Sequence, residues 1–107
     1  MDLYEIQTEH TEWITRNFPN QTIEQAVMGM IEEMGELCHA LLKSQQGIRG
    51  MDEDTALAKI IDAHCDLIIF SLFIAEKLGY DLGENLTATW EQVRQRNWVE
   101  NPAGDGY

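Results

Sequence analysis

The chain has 107 residues, with 19 acidic against 7 basic side chains and a formal net charge of −12. So few cations exclude a module that holds a nucleic-acid polymer by its phosphates, and a basic helix lying on an anionic membrane. A hydrophobic content of 44% excludes an acidic disordered segment and supplies the core of one domain.

Met1 to Glu5 has neither the basic nor the apolar part of a secretory leader. The most apolar run, Leu67 to Ala75, falls far short of the roughly 20 residues that cross a bilayer. Cys38 and Cys65 sit in apolar helical patterns and are expected to be small buried thiols in a reducing, cytoplasmic compartment.

Four helices are predicted. The first spans 2–16 and stops before Asn17-Phe18-Pro19-Asn20, a turn containing Pro. The second starts at Thr22, which makes a capping box with Gln25. From Ile23 to Leu42 its apolar residues recur at helical spacing, in a stripe centred near Met30, Leu37 and Leu41. Residues 44–54, with Gly47 and Gly50, read as a loop. Asp52 or Asp54 caps a third helix, which runs to Leu78 and is closed by Gly79. Asp81 with Glu84 repeats the capping-box pattern and opens a fourth helix toward Trp98. Residues 1–100 therefore form one all-α, four-helix bundle-like domain, and 101–107 are expected to be a flexible tail. The third helix is apolar on every side between Leu67 and Ala75. Four short helices cannot cover it, so a homodimer or homotetramer is expected.

Two acidic groups stand out, Glu32-Glu33-Met34-Gly35-Glu36 and Asp62-Ala63-His64-Cys65-Asp66. At about 100° per residue, Glu33 lies about 60° to one side of Met30 and Glu36 about 60° further round. Gly29 and Ala40 share that flank, and Glu32 points away from the stripe. Asp62 and Asp66 are one turn apart on one face. In an antiparallel hairpin, level residues have nearly constant summed numbers. Glu33 with Asp66 and Glu36 with Asp62 add to 98 or 99, which sets each pair level if the loop is compact. Four carboxylates placed so repel one another, and either protonation or a cation relieves the repulsion. An all-oxygen donor set favours a hard ion, Mg²⁺ or Mn²⁺. Taken one by one, these acids also fit a solvated helix surface.

Other patterns are incomplete. Glu36-x-x-His39 matches half of a di-iron carboxylate motif, and the third helix lacks the other half. His64 lies on the apolar stripe and reads as a core histidine. Neither Cys has a Cys-x-x-Cys partner for zinc, and there is no phosphate-binding Gly-x-x-x-x-Gly-Lys loop.

Glu32-Glu33-x-x-Glu36 followed by Asp62-Ala63-x-x-Asp66 resembles the all-α nucleoside triphosphate pyrophosphohydrolases, the MazG-like group. The resemblance extends to Phe18-Pro19, Leu42-Lys43-x-x-Gln46-Gly47-Ile48-Arg49 and Thr89-Trp90-Glu91-x-Val93-x-x-Arg96-x-Trp98, and so covers most of the chain. It implies Mg²⁺-dependent hydrolysis of a (deoxy)nucleoside triphosphate to the monophosphate and pyrophosphate, as house-cleaning of the nucleotide pool. Glu33, Glu36 and Asp66 would hold the metal. The second motif of the family is Glu-x-x-Asp, and its Glu position here is Ala63. Asp62, one residue earlier, stands as the replacement. Glu32, beside Glu33, would orient or deprotonate the attacking water. Arg96, with Lys43 and Lys59, would meet the phosphates. Trp13, Phe18 and Trp98 would stack on the base. The alternatives are a non-catalytic helical nucleotide-binding or protein-interaction module, and a di-iron carboxylate protein.

Overall fold

Each helix begins where a short polar side chain accepts a backbone N–H, as expected for donors that the first turn leaves unpaired. In the computed structural model, which describes residues 1–107, these starts open α1 (Leu3–Asn17), α2 (Ile23–Gln46), α3 (Glu53–Leu78) and α4 (Leu82–Val93), with no strand. Asp2 accepts from Glu5 N at 2.8 Å, Asp52 from Thr55 N at 2.7 Å and Asp81 from Glu84 N at 3.1 Å. Thr22 accepts from Gln25 N at 3.1 Å while Gln25 Oε1 accepts from Thr22 N at 3.0 Å, completing the predicted capping box. The reciprocal half is not made at Asp81. Gly47 and Gly79 close α2 and α3 at φ 69° and 78°, conformations that glycine adopts without a Cβ penalty.

α2 persists to Gln46, so the α2–α3 loop is shorter than its glycines suggest. The hairpin register follows the level pairing expected for the carboxylates. Ala26 packs with Phe73, and Gly29 meets Phe70. A Cβ on Gly29 would stand 2.5 and 2.8 Å from Cζ and Cδ1 of Phe70, so only glycine allows the ring to lie against the α2 backbone.

The face that α2 buries differs from the expected stripe. Ala26 and Ala40 are buried, Gly29, Met30 and Leu37 are half-buried, and Ile31, Met34 and Leu41 are exposed. The inward face is the small-residue flank, because small side chains let α2 approach Ala56 and Ala63 of α3, both buried. Glu33 lies midway between Ala26 and Ala40, seven residues from each, and so sits on the packed face itself.

α1 crosses α3. Ile14 joins Ala26 and Phe73 in one small core, and Ala40, Met51 and Ala56 form a second. Gln7, buried on α1, donates from Nε2 to Glu76 Oε2 at 3.0 Å and to the Tyr80 carbonyl at 2.9 Å, and its Oε1 accepts from Leu82 N at 3.0 Å. α4 packs chiefly on α1, buries no residue and leaves Leu86 and Trp90 exposed.

Three further expectations are corrected. Cys38 and Cys65 are free but exposed, since both lie off the packed small-residue face. His64 is exposed for the same reason. Residues 101–107 fold back instead of trailing away: Asn97 N donates to the Gly106 carbonyl at 2.8 Å, and Tyr107 Oη donates to the Gln92 carbonyl at 3.0 Å. α4 itself ends at Val93, short of Trp98.

Within Leu67–Ala75, Leu72, Phe73 and Ala75 are buried, Phe73 against Ile14 and Ala26, while Ile68 and Ile69 keep 40% of their surface. The chain buries 11 of its 107 residues and exposes 7842 Å². A compact monomer of 12.3 kDa exposes about 6,100 Å². Its Cα radius of gyration, 17.4 Å, exceeds the roughly 13 Å of a compact chain of this length. No helix is long and apolar enough to cross a membrane.

Candidate metal centre and adjoining pocket

Positions 32, 33 and 36 of one helix put three carboxylates around a single turn. Glu32, Glu33 and Glu36 each offer an oxygen, and these oxygens lie within 4.8 Å of one another. Glu32 and Glu36 are exposed and Glu33 is half-buried. Asp66, half-buried on α3, faces this group closely enough to act on it. Burial, the hydrogen bond and charge of Glu36, and the charges of Asp66 and Glu32 push the Glu33 carboxyl up to about 7, in that order of importance. Burial, then the charges of Asp62 and Glu36, hold Asp66 above the usual carboxylate range. Asp62 is exposed one turn away and acts on Asp66 by its charge, and neither Asp belongs to the group of oxygens that lie within 4.8 Å of one another.

The donor set fits a hard divalent cation. It is all oxygen, and Glu33 Oε2 is buried without a hydrogen-bond partner. An unpaired buried acceptor is costly, and a cation or a proton relieves that cost.

The cluster opens on a pocket of about 250 Å³. Glu33 and Asp66 form one side, and Trp13, Phe18, Ile69 and Phe70 supply apolar walls. Trp13 lies between His10 and Phe18, with ring centroids 6.0 and 5.9 Å away. A larger, more open hollow of about 510 Å³ near Tyr4, Thr8 and Glu76 is lined by none of the candidate carboxylates.

The structure thus places Trp13 and Phe18 in the same pocket as Glu33 and Asp66. It does not bring Arg96 or Trp98 there within one chain. Arg96 lies under the Tyr107 ring, 5.6 Å from its centroid, and Trp98 packs beside Gly106, because the C-terminal segment closes on itself next to α4. Lys43 is in the last turn of α2, donating to Gln46 Oε1 at 3.0 Å, and Lys59 is exposed on α3 one turn before Asp62. Neither lines the pocket. His10 and Gln21, which do line it, have no sequence signal beyond the helical spacing of His10 to Trp13.

Comparison of the chain with protein-family profiles, with characterised proteins and with solved structures finds no match.

Proposed function

We propose that this protein is a Mg²⁺-dependent pyrophosphohydrolase of nucleoside triphosphates, of the MazG-like all-α kind, working as a homo-oligomer in the cytoplasm. The observation that carries this reading is the juxtaposition at Glu33. A carboxylate with an unpaired buried oxygen stands among other carboxylates and opens on an aromatic-walled pocket.

Glu33, Glu36 and Asp66 would hold the ion, with Asp62 as the fourth acid. The bound ion supplies neutralisation of phosphate oxygens and a more acidic water. Glu32, an exposed member of the cluster, accepts a proton from the water that attacks the α-phosphorus. The bond to the α–β bridging oxygen breaks, pyrophosphate leaves and the monophosphate remains. Trp13 and Phe18 hold the base, which fixes the phosphorus relative to the carboxylates.

Self-association rests on area. The chain exposes about 1,700 Å² more than a compact monomer of its mass, an excess on the scale that one protomer buries in an obligate homodimer. The excess is apolar at Met28, Ile31 and Leu57. A protein-interaction module would account for those faces but not for an unpaired carboxylate oxygen beside an aromatic pocket, and a non-catalytic nucleotide-binding module is separated from the enzyme by pyrophosphate release.

The test is pyrophosphate release from the common ribo- and deoxyribonucleoside triphosphates with Mg²⁺. At least one is expected to be cleaved, and Glu33→Gln should lower the rate on the order of 10²-fold or more. No pyrophosphate from any of them refutes the reading.

A further inference from the structure

Across the chain, three buried side-chain polar atoms have no hydrogen-bond partner: His10 Nδ1, Gln21 Nε2 and Glu33 Oε2. All three belong to residues lining the same pocket. Leaving a buried polar group unpaired is costly, and native structures keep few of them. Each of the three atoms has almost no surface in the pocket, so a ligand reaches it only when its side chain turns toward the cavity, and their gathering beside one cavity points to a ligand that supplies the missing partners in that way. Glu33 belongs to the cation site proposed above, which leaves His10 and Gln21 without a role.

We infer that His10 and Gln21 read the edge of the base, so that the pocket takes a planar nitrogen heterocycle presenting a hydrogen-bond acceptor to Gln21 Nε2 and a polar group to His10 Nδ1. The inference rests on the reading of the carboxylates as a triphosphate site, and it assigns the part of the ligand that those carboxylates do not touch.

The shape of the cavity agrees. The Trp13 and Phe18 rings, inclined at 57° to one another, each offer an aromatic face, with Ile69 and Phe70 also lining the space. Gly29 admits the Phe70 ring against α2. Flat apolar walls suit a ring of any base, and polar atoms at the rim are what distinguish one base from another. A purely aliphatic ligand would leave both polar atoms unpaired. Gln21 is placed by the turn before α2, where its N–H donates to the Phe18 carbonyl at 3.1 Å. The amide and the aromatic wall are therefore parts of one local structure. His10 packs on Trp13, and burial holds its imidazole below the ordinary range, with Glu76 opposing in part. The neutral ring offers Nδ1 as either donor or acceptor, depending on its tautomer.

The experiment is titration of the full-length protein with the five common nucleosides in the absence of Mg²⁺, followed by the indole N–H resonance of Trp13, assigned by its loss in Trp13→Phe. At least one nucleoside should shift that resonance saturably, and ribose 5-phosphate should not. Gln21→Met and His10→Phe should each weaken the preferred nucleoside about tenfold and reduce discrimination among the five. Far-UV circular dichroism checks their folding, and Gln21→Glu, which replaces the donor by an acceptor, substitutes for a variant that fails. No shift with any nucleoside, or unchanged affinity in folded variants, overturns the inference. A protein that binds nucleosides in this way yet releases no pyrophosphate retains the pocket and loses the catalytic reading. Pyrophosphate released at equal rates from all nucleotides, by wild type and variants alike, does the reverse.

Discussion

Replacing Gly29 by Ala should destabilise the protein, whereas the same change at Gly35, farther along the same helix, should stabilise it. Ala is favoured over Gly inside a helix by about 1 kcal/mol, and at Gly35 nothing lies within 4 Å of the new Cβ to oppose that gain. At Gly29 the Cβ meets Cζ and Cδ1 of Phe70 at 2.5 and 2.8 Å, closer than real Cβ contacts. Overpacking of this kind costs about 1–3 kcal/mol. The net at Gly29 is a loss of about 1 kcal/mol, so the two variants should differ by about 2 kcal/mol with opposite signs. Urea unfolding at a fixed protein concentration measures both. The least costly relief is for the Phe70 ring to turn into the neighbouring pocket, so Gly29→Ala should also weaken nucleoside binding. Phe70→Leu in the Gly29→Ala background should recover stability. Equal stabilisation by the two alanines would show that Phe70 does not abut Gly29, and with it the α2–α3 register that aligns Glu33 and Asp66 would fall.

Three other outcomes are expected. Glu33 titrates near 7 in the folded chain against an ordinary 4.5, so folding requires a carboxyl that resists ionisation. Without Mg²⁺, stability should therefore fall as pH rises from about 4.5 through about 7. Mg²⁺ at a hundred times its Kd should return about 2.7 kcal/mol. The gain in Tm on adding Mg²⁺ should accordingly be larger at pH 8 than at pH 5.5, and equal gains would remove the cation from Glu33. Asp62→Asn should raise the Mg²⁺ concentration for half-maximal activity roughly tenfold, the scale seen for groups that support a metal ligand. Unchanged Mg²⁺ dependence would take Asp62 out of the site. Ile31→Lys, at a position 67% exposed in the single chain, should change monomer stability by no more than about 0.5 kcal/mol while lowering the oligomeric mass in light scattering. An unaltered mass would place the association surface elsewhere.

The helices were legible because their ends are local chemistry. Thr22 with Gln25, Asp52 and Gly79 each act within one turn, and the structure uses all of them. The level pairing of the hairpin was legible for a similar reason, since a compact loop leaves little freedom of register. The inward face of α2 was not. Its large apolar residues form the more regular stripe, but hydrophobic spacing cannot say whether a face is covered by the same chain or by another. Close approach of α3 selects Ala26, Gly29 and Ala40, and that places Glu33 on the packed face. His10 and Gln21 were silent because their significance lies in what they fail to bond, which exists only once α1 and the following turn have closed over α3. The C-terminal fold-back was hidden too, since it hangs on bonds between residues well apart in the chain, Asn97 to Gly106 and Tyr107 to Gln92.

The amide of Gln7 has a mechanical meaning. α1 rests on the remainder of the chain at two supports: Gln7, fastened to Glu76, Tyr80 and Leu82 by three hydrogen bonds, and Ile14, seated by contact with Ala26 and Phe73. His10 and Trp13 lie on the span between them. One support is directional and the other is a greasy bearing. Sliding of α1 along α3 would break the amide's three hydrogen bonds. The His10 and Trp13 side of the pocket thus hangs between an apolar contact at one end and a single glutamine at the other.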